Sequence, residues 1–271
     1  MYKIYKSGQE FLAENSDILA KYPLETVFFE VNAKSIVETN ANDFLIKLQE
    51  DDRFLLAVHH ADYPMVIFGN NDLAVEYAKI AAEHKLAFSK VLGTLDTCEA
   101  FLSEYEKLVK CTHEVNHAMD IMRCDKVLTE NVDLVERPTE SDVNRLARLT
   151  VDFAKEALGD DLDVENVKND IRNRLSGFCV IRINDKIVSY AAIKRETKRL
   201  ACIADVYTLP QYRCQGLSCR IVTCLTKQIV DGGRLAYLFV DKKNPISNHL
   251  YRKIGYKYAV PQYEIKLMRN S

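Results

Sequence analysis

Charge of one sign is not in excess in this chain: 37 basic residues stand against 39 acidic ones, a formal net charge of −2. Non-specific binding to nucleic acid depends on an excess of positive charge, so no nucleic-acid partner is expected. Long apolar runs are missing too. No stretch approaches the roughly 20 apolar residues of a membrane-spanning helix. The opening Met1-Tyr2-Lys3-Ile4-Tyr5-Lys6 leads into no apolar segment of the secretory kind. The expectation is a cytoplasmic protein without a membrane partner. No Cys-x-x-Cys pair occurs among the eight cysteines. A chain of 271 residues builds its own core without a disulfide framework, so the thiols are read as free and mostly interior, with Cys214 in a loop. Two phosphate-binding patterns, Gly-x-x-x-x-Gly-Lys and Gly-x-Gly-x-x-Gly, are also missing.

What is present is the balance of a globular protein, 48% hydrophobic and 28% charged residues. The length suits one large or two ordinary domains. The first fifty residues predict helices, with Phe11, Leu12, Ile18, Leu19 and Tyr22 at helical spacing and a second helix over Thr26–Glu38. Strands are predicted over Phe54–Val58 and Met65–Phe68, split by the turn Asp62-Tyr63-Pro64. Gly69-Asn70-Asn71-Asp72 opens a helix to about His84. A strand over Phe88–Leu92, a helix over Asp96–Lys110 and a strand over His113–Met122 follow.

After a connector at 124–137, helices are predicted over Ser141–Leu158 and Val164–Leu175. A hairpin joins Gly177–Ile183 to Ile187–Ile193 around Asn184-Asp185. Next come a strand over Leu200–Leu209, a helix over Gly216–Asp231 and a buried strand over Leu235–Val240. A short helix over Ser247–Lys253 and one or two strands over Tyr256–Met268 close the chain. Both halves thus run strands, a helix opened by a special turn, a strand, a helix and a final strand. The order suggests duplication of one α/β unit.

The most informative segment is Val206-Tyr207-Thr208-Leu209-Pro210-Gln211-Tyr212-Arg213-Cys214-Gln215-Gly216-Leu217-Ser218. A strand runs into a tight turn, and the turn opens a helix. Amides at a helix N-terminus point outward unpaired and the macrodipole makes that end positive, so a phosphate or pyrophosphate docks there. Gly216 permits close approach to the backbone, and Arg213 adds charge.

This segment resembles the pyrophosphate-binding turn of the GNAT superfamily, the acyl-CoA-dependent N-acyltransferases. The family pattern Arg/Gln-x-x-Gly-x-Gly/Ala is matched as Arg213-x-x-Gly216-x-Ser218, with Ser in place of the last Gly or Ala. A second segment, Asn244-Pro245-Ile246-Ser247-Asn248-His249-Leu250-Tyr251-Arg252-Lys253-Ile254-Gly255-Tyr256, resembles the family's closing motif: an Asn-Pro opening a short helix, a Tyr seven residues on, then a Gly and an aromatic. The likeness extends loosely over residues 130–271.

The resemblance implies an α/β fold with a mixed sheet in two GNAT-like units. Residues 1–125 form a degenerate, non-catalytic unit, and residues 126–271 form the N-acetyltransferase domain. Acetyl-CoA is the implied co-substrate. It is held by backbone groups near Val206 and Thr208 in a cleft between splayed strands, by the turn Arg213, Cys214, Gln215, Gly216, Leu217 and Ser218, and by Asn244. An amine acceptor attacks the thioester directly, and a backbone amide near Val206 steadies the oxyanion. Tyr251 returns a proton to the CoA thiolate, unless it is only a core aromatic. Asp205, the only carboxylate in its strand, is the candidate base, with an ion-paired role and ordered water as alternatives.

His113-Glu114-Val115-Asn116-His117 fits the zinc-protease pattern His-Glu-x-x-His. That chemistry needs both imidazoles one helical turn apart. The alternation here predicts a strand, which separates them by about 13 Å, so no metal is expected. In the first half, Asp72 at the start of its helix should cap the amides that a phosphate would need. That half is left to shape the acceptor pocket, to make a homodimer or to serve as scaffold. The rival to an enzyme is a module that senses acyl-CoA without turning it over.

Overall fold

The structure, a computed structural model, describes residues 1–61 and 63–269. The elements of the first half are β1 (Tyr2–Tyr5), α1 (Gly8–Glu14), α2 (Ser16–Lys21), α3 (Val27–Ser35), β2 (Asp43–Glu50), β3 (Arg53–His60) and β4 (Met65–Gly69), then α4 (Asn71–Glu83), β5 (Lys90–Gly93), α5 (Leu95–Leu108) and β6 (Cys111–Cys124). Those of the second half are β7 (Val135–Glu136), α6 (Val143–Leu158), α7 (Val164–Asn173), β8 (Phe178–Ile183), β9 (Lys186–Glu196) and β10 (Leu200–Thr208), then α8 (Leu217–Asp231), β11 (Leu235–Asp241), α9 (Pro245–Ile254) and β12 (Lys257–Arg269). Together they make a mixed α/β protein with two compact units, Met1–Ile121 with Val240–Lys243 and Ala259–Ser271 (unit 1), and Met122–Phe239 with Asn244–Tyr258 (unit 2). A single cut near residue 125 does not reproduce this division, because most of the last strand belongs to unit 1.

In unit 1, β1 to β4 pair antiparallel in sequence order. The link through α4 then brings β5 parallel to β4, with Met65 opposite Val91. β12 lies antiparallel on the other side of β5, with Tyr263 opposite Gly93 and Lys266 opposite Lys90, and β6 is its next neighbour. Two apolar layers cover the sheet. Phe44, Ile46 and Leu48 of β2 pack with α4 and α5 on one face, and Leu45 packs with α1 and α3 on the other. Both faces of β2 are therefore buried, which removes the polar–apolar alternation that marks a half-buried strand. This corrects the all-helical reading of the first fifty residues: β1 and β2 are strands. The predicted turn Asp62-Tyr63-Pro64 lies partly outside the described residues.

β6 is a strand, as its alternation predicts, so His113 and His117 are not one helical turn apart. His113 instead bridges α5. Its Nδ1 is 2.8 Å from Glu106 Oε1 and its Nε2 is 3.1 Å from Glu99 Oε2. Burial alone would push its pKa down. The bonds to the two carboxylates favour the imidazolium more strongly, and the net shift is upward.

In unit 2, β7 to β10 pair antiparallel and β11 joins β10 in parallel. α6 and α7 cover one face through Val143, Leu146, Leu149 and Ile171 against Phe178, Val180, Tyr190 and Tyr207. Alternation puts Cys179 on the opposite face, where α8 packs along β8, β9 and β10 with Ile221, Leu225 and Ile229 buried. Thr226 of α8 also hydrogen-bonds Tyr256, 2.9 Å between the hydroxyls.

Candidate active site

Two features loosen β10 from its neighbours. Its parallel pairing with β11 covers only Leu200 opposite Leu235 to Cys202 opposite Tyr237, although both strands continue. Further along, its register with β9 slips between Ala204, opposite Ala192, and Tyr207, opposite Tyr190. Two residues, Asp205 and Val206, thus face one on β9, which is a β-bulge. Asp205 sits in the left-handed region at φ +54°. An L-residue there is strained, a feature that clusters at functional sites. The bulge takes the backbone of Asp205 and Val206 out of the regular ladder, leaving polar groups for another partner.

After Thr208 the chain enters a one-turn helix over Pro210–Tyr212. Cys214 at φ +62° and Gly216 at φ +74° then swing it into α8. Arg220 N–H donates to the Gly216 carbonyl at 3.2 Å and closes the first turn. α8 has no side-chain cap and no acidic residue in its first turn, whereas α7 and α9 are capped by Asp163 and Asn244. The positive end of α8 is therefore uncompensated. A Cβ built on Gly216 would meet nothing within 4 Å, so the turn faces open space. Cys214 is exposed.

The counterpart in unit 1 differs. A Cβ on Gly69 would lie 2.1 Å from the Phe54 carbonyl oxygen, so this glycine lets β3 pass close by. Asp72 stands in the first turn of α4, as expected, but its carboxylate is taken by Arg53, which also binds Glu50. The expected capping of amides by Asp72 is replaced by an ion pair to the end of β3.

The Arg213 side chain turns back into the fold. Its Nε donates to the Thr208 carbonyl at 3.0 Å, its Nη2 lies 2.6 Å from Glu156 Oε1, and the guanidinium covers the Tyr207 ring at 5.8 Å. The Tyr207 hydroxyl reaches the same carboxylate at 3.3 Å. Arg213 thus ties the turn to α6. Ser189 of β9 steadies the strand end, donating to the Tyr207 carbonyl at 3.1 Å and pairing with the Thr208 hydroxyl at 2.7 Å. Glu156 and Ser189 escape sequence reasoning because they act from other elements, α6 and β9, with no local pattern to mark them.

Asp205 is mostly buried and its Oδ2 lies 2.6 Å from Lys194 Nζ. Asn244 accepts from the Ser247 amide at 3.1 Å, which leaves its side-chain NH2 free of that cap. Tyr251 is buried against Tyr256, ring centroids 5.9 Å apart. Burial pushes its phenol up to about 12, and the nearby Cys202 thiol adds to the effect. Cys202 is the last residue of β10 paired to β11.

Residues 143–256 match the acetyltransferase (GNAT) family. This part of the chain is a GNAT acetyltransferase domain. A comparison with curated proteins finds no match. Among solved structures, a Drosophila protein aligns at TM-score 0.71 and 14% identity, over 100% of this chain and 99% of its own. A GNAT-family acetyltransferase from Colwellia psychrerythraea aligns at TM-score 0.60 and 12% identity over the full length of both chains. A tandem GNAT protein from the clavulanic acid biosynthesis pathway aligns at TM-score 0.56 and 9% identity, over 99% of this chain and 98% of its own. At such identities the likeness is one of fold, and it extends over both units: the chain is built as two GNAT-like units. No helix among the described residues is long and apolar enough to cross a membrane.

Proposed function

We propose that this chain moves an acetyl group from acetyl-CoA to a primary amine of a small molecule or peptide by direct attack in unit 2. The observation that carries the reading is the uncapped N-terminus of α8, opened by Gly216 onto free space at the end of a strand that has parted from its parallel neighbour. The pyrophosphate is assigned to the amides of the turn Arg213 to Ser218, with the Arg213 side chain bracing the turn from behind. The pantetheine arm is assigned to the cleft beside Val206, Thr208 and Asn244. Acetyl-CoA supplies the activated acyl group; the chain orients it and manages protons.

Tyr251 is the proposed acid. With its phenol pushed up to about 12 it stays protonated at neutral pH, ready to donate to a departing thiolate. Asp205 is the proposed base, at the bulge and in contact with Lys194. Unit 1 is assigned a non-catalytic role, because Gly69 is closed off by β3 where Gly216 is open.

The test is a panel of amines with acetyl-CoA, read by release of free thiol, followed by single-turnover rates on the best acceptor. Tyr251→Phe keeps the ring and should lower the single-turnover rate at least tenfold, within the ~10²–10⁴-fold contribution of a positioned acid. The acetyl-CoA dissociation constant should hardly move, as for an interaction made mainly in the transition state. Wild-type rates in the variant would return Tyr251 to the core. Tight binding without turnover of any amine would favour a sensor of acyl-CoA.

A further inference from the structure

Cys179 of β8 and Cys224 of α8 lie on facing surfaces where α8 packs along β8, and each thiol shifts the acidity of the other. Both are free, Cys179 buried and Cys224 half-buried. Neither belongs to the site described above. Arg137 spans the two elements beside the pair. Its Nη1 donates to the Ser176 and Phe178 carbonyls at 3.0 Å each, next to Cys179, and its Nη2 binds Gln228, one helical turn beyond Cys224. A guanidinium cannot lose its proton in a protein, so the positive charge is fixed beside the sulfurs.

We propose that Cys179 and Cys224 form a thiol–disulfide site, with Cys224 the attacking thiol, Cys179 the resolving thiol and a hydroperoxide the oxidant. Partial exposure gives Cys224 access to a small oxidant. The neighbouring Cys179 thiol and the Arg137 charge lower its pKa, and the thiolate is the reactive form. The Cys224 thiolate attacks a peroxide oxygen. An S–O bond forms, the O–O bond breaks, and the departing hydroxide is protonated to water. Cys179 then attacks the sulfenic sulfur. The S–S bond forms, the S–O bond breaks, and the hydroxide released takes the Cys179 proton to give a second water. Two thiols are oxidised by two electrons and one hydrogen peroxide is reduced to two waters. The product covalently joins α8, the helix that carries the anion-binding turn, to β8.

The full chain, reduced and then treated with hydrogen peroxide, is denatured in an alkylating reagent and peptide-mapped by mass spectrometry. The expected product is a Cys179–Cys224 cross-linked peptide pair, 2 Da lighter than the two thiol peptides (two hydrogens lost), which dithiothreitol reverses. Cys179→Ser should stop at a sulfenic acid on Cys224 that dimedone traps, and Cys224→Ser should leave Cys179 fully alkylatable. Circular dichroism checks that each variant folds, and the wild-type map stands without them. Oxidation confined to the exposed Cys214 or to Cys219, with Cys179 and Cys224 still alkylatable, would overturn the assignment. So would a cross-link from either residue to any other cysteine.

Discussion

At the scale of single residues, the turn before α8 combines two left-handed positions with different side chains. Gly216 adopts φ +74° without a Cβ to strain, whereas Cys214 holds φ +62° with one. The left-handed conformation costs an L-residue roughly 1–2 kcal/mol, and glycine's extra backbone entropy offsets part of any gain from replacing it. Cys214→Gly should therefore raise stability by up to about 1 kcal/mol, read from urea denaturation, and leave acetyl-CoA affinity nearly unchanged. Clear destabilisation would mean that the Cys214 side chain makes contacts outweighing the strain. The resemblance at Arg213, Gly216, Asn244 and Tyr251 is legible in sequence because each requirement is local: an open left-handed glycine, a helix start, a cap, an aromatic at fixed spacing. The partners of these residues are not legible. Glu156 is 57 positions from Arg213, and no spacing rule joins them.

At the scale of elements, β6 is held to α5 by the clasp of His113 with Glu99 and Glu106. The His113 pKa is raised, the carboxylates outweighing burial. A group whose folded pKa lies above its unfolded value stabilises fully below the unfolded value, about 6.5 for histidine, and loses that contribution as pH rises through the folded value. Wild type should thus exceed His113→Gln in stability by more at pH 5.5 than at pH 9, measured by urea unfolding at both. An equal gap at the two pH values would show that the clasp acts by packing alone. Elements with one wet face were legible from their period, α6 and α8 among them. β2 was not: Leu45 faces one core layer while Phe44, Ile46 and Leu48 face the other, so its apolar run carries no alternation.

For the whole molecule, the repeated order of elements in the two halves is visible in sequence, but the destination of the last strand is not. β12 pairs with β5 and buries Ile265 and Leu267 in the core of unit 1. Strand pairing at such separation is set by tertiary packing, which leaves no periodic trace in the chain. Ile265→Ala should cost about 2–5 kcal/mol. Its effect should fall on unit 1, with hydrogen-exchange protection of β4 and β5 amides dropping more than that of β8 and β9. Uniform loss across both units, or loss confined to unit 2, would contradict this assignment of the C-terminal segment.

The central claim is that acyl-CoA is held once per chain, by the open N-terminus of α8 in unit 2. Calorimetric titration of the wild type and of Gly216→Glu with acetyl-CoA tests it most directly. The substitution puts a side chain and a negative charge into the turn. The wild type should bind one molecule per chain, and the variant, shown to be folded by circular dichroism, should bind none at concentrations that saturate the wild type. Unchanged affinity in the variant, or two molecules bound per wild-type chain, would contradict it.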